Sequence, residues 1–217
     1  IVGILQSLTL EGLTVPGFDL SITGDVPFGA GLSSSASVEV ATATAVLGML
    51  GLEWPGLRIA EVCQRAENDF VGAPCGIMDQ FASANGVAGN ALVLDCRALT
   101  FSLAPLPSSI RLVIANSMVK HSVADGGDYA ERRADTEAGT RVLHAQEPHI
   151  VQLRDATLGD LERWSAEMPD RVMRRCRHII TDSARVLEMQ RLLEGGELIA
   201  AGKLLVAAHA SYRDDFE

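Results

Sequence analysis

Phe18, Leu20 and Ile22 alternate with Asp19, Ser21 and Thr23, the period-two pattern of a strand with one buried face. The period then lengthens. After a glycine- and serine-rich turn over residues 29–35, Val40, Ala43, Leu47 and Leu50 recur at helical spacing. The expected order is strand, glycine loop, helix. Past the Trp54-Pro55-Gly56 break, Ile59, Val62, Cys63, Ala66 and Phe70 form a second helical stripe that ends near Gly72 and Pro74. At about 100° per residue, Glu67 falls roughly 80° from the middle of that stripe, at the edge of the buried face.

A further helix is expected over residues 78–84, and strand-like runs over 91–94, 100–103 and 110–115. Beyond Gly127 the pattern is mostly helical. Val172, Cys176, Ile179, Ser183, Val186 and Leu187 share one face, and Gly195-Gly196 stops that helix before a last one. The fold class expected from this order is α+β in two lobes, residues 1–106 and 107–217, with the boundary near Pro105 to Ser109.

Composition narrows the function classes. A chain of 217 residues, 47% hydrophobic and 21% charged, can bury a sizeable core. Its formal net charge of −10 and lack of a basic stripe argue against a nucleic-acid or anionic-membrane partner. Cys63, Cys75, Cys96 and Cys176 show neither a CxxC pair nor the spacing of a secreted disulfide framework, so free thiols in a reducing compartment are expected. No apolar run approaches the roughly 20 residues that span a bilayer. The five histidines lack the spacing of a metal site.

Three segments carry candidate chemistry. Pro27-Phe28-Gly29-Ala30-Gly31-Leu32-Ser33-Ser34-Ser35-Ala36 puts small residues, hydroxyls and free N–H groups at a helix start, where backbone donors and the helix dipole favour a polyphosphate. It lacks the lysine of a GxxxxGK[ST] loop and the third glycine of a dinucleotide fingerprint. A serine-rich helix cap is the plainer alternative. The second segment, Glu67 through Asp79-Gln80, joins a helix-edge carboxylate to a loop-borne one through Gly72, Pro74 and Gly76. Phosphoryl transfer needs oxygen ligands for a Mg²⁺ ion on the phosphates and a carboxylate to deprotonate the attacking hydroxyl. An arbitrary acidic pair would instead cap a helix and face solvent. The third segment runs from Asn116 through Lys120, His121 and Ser122 to Tyr129, Arg132 and Arg133. Alone it would read as a solvated helix surface.

These segments resemble the galactokinase type of the GHMP small-molecule kinases. PxGxGLSSSA is similar to the family's second motif, E-x-x-x-x-G-x-P-C-G-I-M-D-Q to the segment bearing its catalytic Asp, and N-S-x-V-K-H-S-x-A…Y to its sugar-side segment. The resemblance covers essentially the whole chain, down to Arg213-Asp214-Asp215-Phe216-Glu217. It implies a GHMP kinase fold with a ribosomal protein S5 domain 2-like N-terminal lobe and a helical and sheet C-terminal lobe, incomplete at both ends. The family's N-terminal motif and its C-terminal glycine-rich motif fall outside these residues, so this stretch alone is expected to be inactive.

By the same resemblance, Asp79 is the base. Pro27, Gly29, Gly31, Leu32, Ser33, Ser34, Ser35 and Ala36 bind ATP. Ser35 and Glu67 hold Mg²⁺, with Ser34 as the alternative hydroxyl. Gly76, Asp79 and Tyr129 contact the sugar, and Lys120 offsets phosphate charge. The implied reaction transfers the γ-phosphate of ATP to the anomeric hydroxyl of galactose, in a monomeric cytoplasmic enzyme. Arabinose or N-acetylgalactosamine as acceptor, and a sugar sensor without turnover, stay open. The complete GLSSSA segment favours an enzyme over a sensor.

Overall fold

The computed structural model describes residues 1–73, 75–115 and 127–216, with side chains from 130 onward in the last stretch. They form two compact units, Ile1–Asp125 and Gly126–Glu217, and the fold is α+β.

The first unit packs three helices around one apolar core. Helix α1 (Val2–Leu10) inserts Ile4 and Leu8, α2 (Ser34–Met49) inserts Val40, Ala43, Val46 and Leu47, and α3 (Gly56–Arg65) inserts Ile59, Val62 and Cys63. The stripe read from the sequence is therefore the buried face of α3. It continues into a π-helical turn, Ala66–Val71, where the wider winding shifts the angle at which Glu67 projects. Helix α1 has no counterpart among the sequence expectations. Its Gly3 lies against Phe70, and a Cβ there would stand 2.9 Å from that ring.

Helix α4 (Met78–Asn85) lies on α3. Together with Ala60 and Ile77, its Phe81 covers the apolar side of a hairpin made by β1 (Asn90–Asp95) and β2 (Thr100–Pro105). The strands pair antiparallel with Leu92 opposite Leu103 and Leu94 opposite Phe101, whose ring meets Phe81 edge-on at 5.4 Å. The Asp95 carboxylate closes the turn by accepting from the amides of Arg97 and Ala98 at 2.8 and 3.1 Å.

Two of the expected strands, residues 18–23 and 110–115, do not form. Neither has a ladder partner among the described residues, and an extended segment without one gains no inter-strand bonds. Leu20, Ile22, Leu112, Val113 and Ile114 stand exposed as a result.

In the second unit α5 (Gly127–Gln146) packs on α7 (Asp170–Glu194), with α6 (Leu158–Arg163) beside them and α8 (Leu198–Ser211) returning along α7. Leu143, Ile150, Leu161, Val172 and Cys176 form its core. Gly139 permits the close approach of α5 to α7, because a methyl group there would overlap Cys176 Sγ. The predicted α7 face is buried at Val172 and Cys176, half-buried at Ile179 and exposed at Ser183, Val186 and Leu187. Gly195 and Gly196 end α7 as expected.

A π-helical turn, Tyr212–Phe216, follows α8 and folds onto α7. His178 Nδ1 lies 3.1 Å from Ser211 Oγ, which donates to Asp215 at 3.1 Å, and the His178 ring packs against Phe216 at 4.7 Å. Burial holds His178 below the usual histidine value, against the opposing pull of Asp182 and Asp215. The unfolded chain therefore takes up this proton first. Stability attributable to His178 is complete above about pH 6.5 and is lost as pH falls below it. Urea titrations across that range should show a declining midpoint in the parent and a flatter profile in His178→Gln.

Candidate functional site

The loop before α2 has an unusual backbone. Gly29, Gly31 and Ser33 take positive φ angles of 66°, 71° and 55°, alternating with residues on the ordinary side. Such alternation turns successive amides toward one concave surface, an anion-binding arrangement. Glycine adopts these angles freely, but Ser33 does so at a steric cost. Ser33 is also the N-cap of α2, yet its side chain makes no capping bond, so the serine-cap alternative fails at this residue. The first amides of a sixteen-residue helix are thus left without a side-chain cap, with Ser34 half-buried and Ser35 exposed beside them.

The acidic segment is fixed by a polar network inside the first unit. Gln80, fully buried, donates from Nε2 to Glu67 Oε2 at 2.6 Å and to Glu39 Oε2 at 3.2 Å. Cys75 Sγ donates to the same Glu67 oxygen at 3.5 Å. The connecting loop is pinned as well. Asn68 accepts from the Cys75 amide at 2.8 Å, Gln64 donates to the Cys75 carbonyl at 3.2 Å, and Gly72 turns the chain with φ of 77°. Pro74 lies outside the described residues.

Asp79 and Gln80 are neighbours in the first turn of α4 and point opposite ways, Gln80 inward and Asp79 to solvent. Gly76 is exposed just before them. The structure thereby joins the residues around Glu67 to the turn that bears Asp79. Residues 116–126, with Lys120, lie outside the described residues, as does the side chain of Tyr129; farther along α5, Arg133 donates to Glu137 at 2.9 Å and Arg132 lies over the Phe216 ring at 5.8 Å.

Two members of this network, Glu39 and Gln80, were given no role by the sequence patterns. A signal for the first was present: Glu39 is the single charged residue in α2. Burial pushes its carboxyl up to about 7, the Gln80 hydrogen bond opposes that, and the Glu67 charge adds to it. Burial and then the Glu67 charge push the Cys75 thiol up to about 11, which rules it out as a nucleophile near neutral pH. Iodoacetamide at pH 8 should accordingly label the exposed Cys96 well before Cys75, as read by peptide mass mapping.

The first 87 residues match the GHMP kinases N terminal domain. Over 214 residues the chain is 39% identical to the galactokinase of Chloroflexus aurantiacus. Its residues 1–87 belong to the GHMP kinases. The alignment takes in 99% of this chain and 55% of that relative, so the chain spans about half the length of the curated protein it matches. Among solved structures, it superposes on a galactokinase of Lactococcus lactis complexed with galactose with a TM-score of 0.81. That match is at 25% identity and covers 99% of this chain and 56% of the other.

Family membership makes ATP the expected phosphate donor of a GHMP kinase. Among the described residues no group of three or more His, Cys, Asp or Glu side chains could hold a metal alone. A Mg²⁺ ion on a nucleotide keeps several waters and takes only one or two protein oxygens beside the phosphates. Glu67 suits this role: both described donors, Gln80 and Cys75, fall on its Oε2, and its Oε1 is left for a ligand. Among the described residues no helix is long and apolar enough to cross a membrane.

Proposed function

We propose that this chain supplies the nucleotide loop, a metal ligand and the base of a sugar 1-kinase that phosphorylates the anomeric hydroxyl of galactose with ATP. The observation that carries the reading is the Gln80 to Glu67 hydrogen bond at 2.6 Å, which ties the candidate metal ligand to the helix turn bearing Asp79. The likeness to two galactokinases supports galactose as the acceptor.

In this reading the amides of residues 29–36 and the α2 dipole cradle the phosphates, with Pro27, Gly29, Gly31, Leu32, Ser33, Ser34, Ser35 and Ala36 forming the nucleotide contacts. Glu67 and Ser35 would hold Mg²⁺, which would neutralise charge on the phosphates. Gly76 and Asp79 would contact the sugar, and Tyr129 is assigned to it by resemblance alone. Asp79 accepts the proton of the anomeric hydroxyl, its oxygen bonds to the γ-phosphorus, and the bond from that phosphorus to the β,γ-bridging oxygen breaks to release ADP. Residues 1–106 form the nucleotide lobe and 107–217 belong to the second lobe of a cytoplasmic, monomeric enzyme.

The test is ADP release by the intact gene product with Mg²⁺ and ATP against galactose, arabinose and N-acetylgalactosamine. Galactose should give the highest kcat/KM. A preference for either other sugar would reassign the acceptor, and sugar binding without ADP release would make the protein a sensor.

A further inference from the structure

Among the described residues, Gln80 is the one side chain that bonds at once to α2, through Glu39, and to the π turn, through Glu67, while itself sitting on α4. Each of the three elements also carries a residue of the proposed reaction. Ser35 stands one helical turn before Glu39, on the same face of α2, since positions four apart stack along a helix. Glu67 belongs to the π turn, and Asp79 immediately precedes Gln80 on α4.

The amide is fully buried, and its Nε2 donates to the two carboxylates at 2.6 and 3.2 Å, with Cys75 Sγ a longer third acceptor at 3.8 Å. Its Oε1, also buried, has no hydrogen-bond partner. An unpaired buried carbonyl costs about 1–3 kcal/mol. The fold thus tolerates an orphan acceptor while keeping Nε2 on the carboxylates. An apolar side chain of this length would fill the same space without leaving that oxygen unpaired. The placement therefore suits a task beyond packing: orienting the Glu67 carboxylate by holding its Oε2.

We propose that Gln80 and Glu39 are positioning residues for the metal ligand Glu67, with Glu39 anchoring the Gln80 amide and Gln80 fixing the Glu67 carboxylate. This rests on the sugar-kinase reading for the identity of the cation, although the hydrogen-bond geometry stands without it. Partners that orient a ligating carboxylate are generally worth 10- to 100-fold in metal affinity. Mn²⁺ serves as the probe for the site.

The experiment measures Mn²⁺ binding by electron paramagnetic resonance in the presence of ADP, galactose binding by calorimetry, and the unfolding midpoint, all on the intact gene product. Gln80→Met and Glu39→Leu should each weaken Mn²⁺ about 10- to 100-fold and leave galactose affinity unchanged. Glu39→Gln, which keeps an oxygen to accept from Gln80, should stay near the parent. If Gln80→Met does not fold, Gln80→Asn, whose shorter amide cannot span both carboxylates, takes its place with the same expected loss.

Unchanged Mn²⁺ affinity in a folded Gln80 variant overturns the proposal. So does a fall in Mn²⁺ and galactose affinity together, in step with the unfolding midpoint, because that marks a packing role. A parent that binds Mn²⁺ with ADP but phosphorylates no sugar would instead contradict the proposed reaction, which separates the two claims.

Discussion

Asp79→Asn is expected to lower kcat for galactose phosphorylation about 10²- to 10⁴-fold, the range that general-base assistance contributes. The substitution keeps the size of the side chain and removes only its basicity. Asp79 is exposed in the first turn of α4 and makes no hydrogen bond that holds the unit together, so the unfolding midpoint should not move. Galactose affinity should change little, since the lost interaction is one made in the transition state. Steady-state kinetics beside calorimetric sugar binding checks this. A variant with parent-like kcat would remove Asp79 from the base role.

The second large effect concerns stability. Arg175, with a side chain only 6% exposed, donates to Asp135 at 2.7 Å and approaches Glu131 at 3.4 Å. Asp135 also binds Arg171 at 2.8 Å, so it is the hub that joins α5 to α7. Asp135→Ala leaves the buried guanidinium with only the half-exposed Glu131 at 3.4 Å. The expected loss is about 3–5 kcal/mol in urea unfolding, the range found when one partner of a buried pair is removed. Replacing both partners, Asp135→Leu with Arg175→Met, should recover most of that loss, because a buried ion pair often does little better than apolar side chains of similar volume. A double variant as unstable as the single one would show that the pair itself, rather than the uncompensated charge, holds the unit.

Helices α3, α4 and the first half of α7 were legible from regular spacing, whereas α1, which buries Ile4 and Leu8 four apart, was not expected. The stripe from Ile59 to Ala66, the start of α4 near Met78 and the Gly195-Gly196 stop each follow from local residues. The hairpin was legible for the same reason, its Leu92 and Leu94 alternating against the α3 and α4 core. Strands that need a distant partner were not: residues 18–23 have the right alternation, but period two alone does not supply a neighbouring strand. The second half of α7 failed in the same way, because helical spacing at Val186 and Leu187 does not say whether another element lies over them.

The candidate site divides along the same line. Its loop and its two carboxylates are contiguous motifs, open to reading one residue at a time. The Gln80 bridge joins positions 41 and 13 residues apart in the chain, and only the packing of α2 on α4 brings them together. The lone charge of Glu39 in an otherwise neutral helix was the sole hint.

Phosphorus NMR of the intact gene product, incubated with ATP, Mg²⁺ and galactose, is the measurement to make first. The expected result is a sugar phosphate whose phosphorus couples to the proton on C1, appearing in step with ADP and only when galactose is present. ATP that stays intact while galactose is bound, or phosphate on any other sugar carbon, would contradict a sugar 1-kinase.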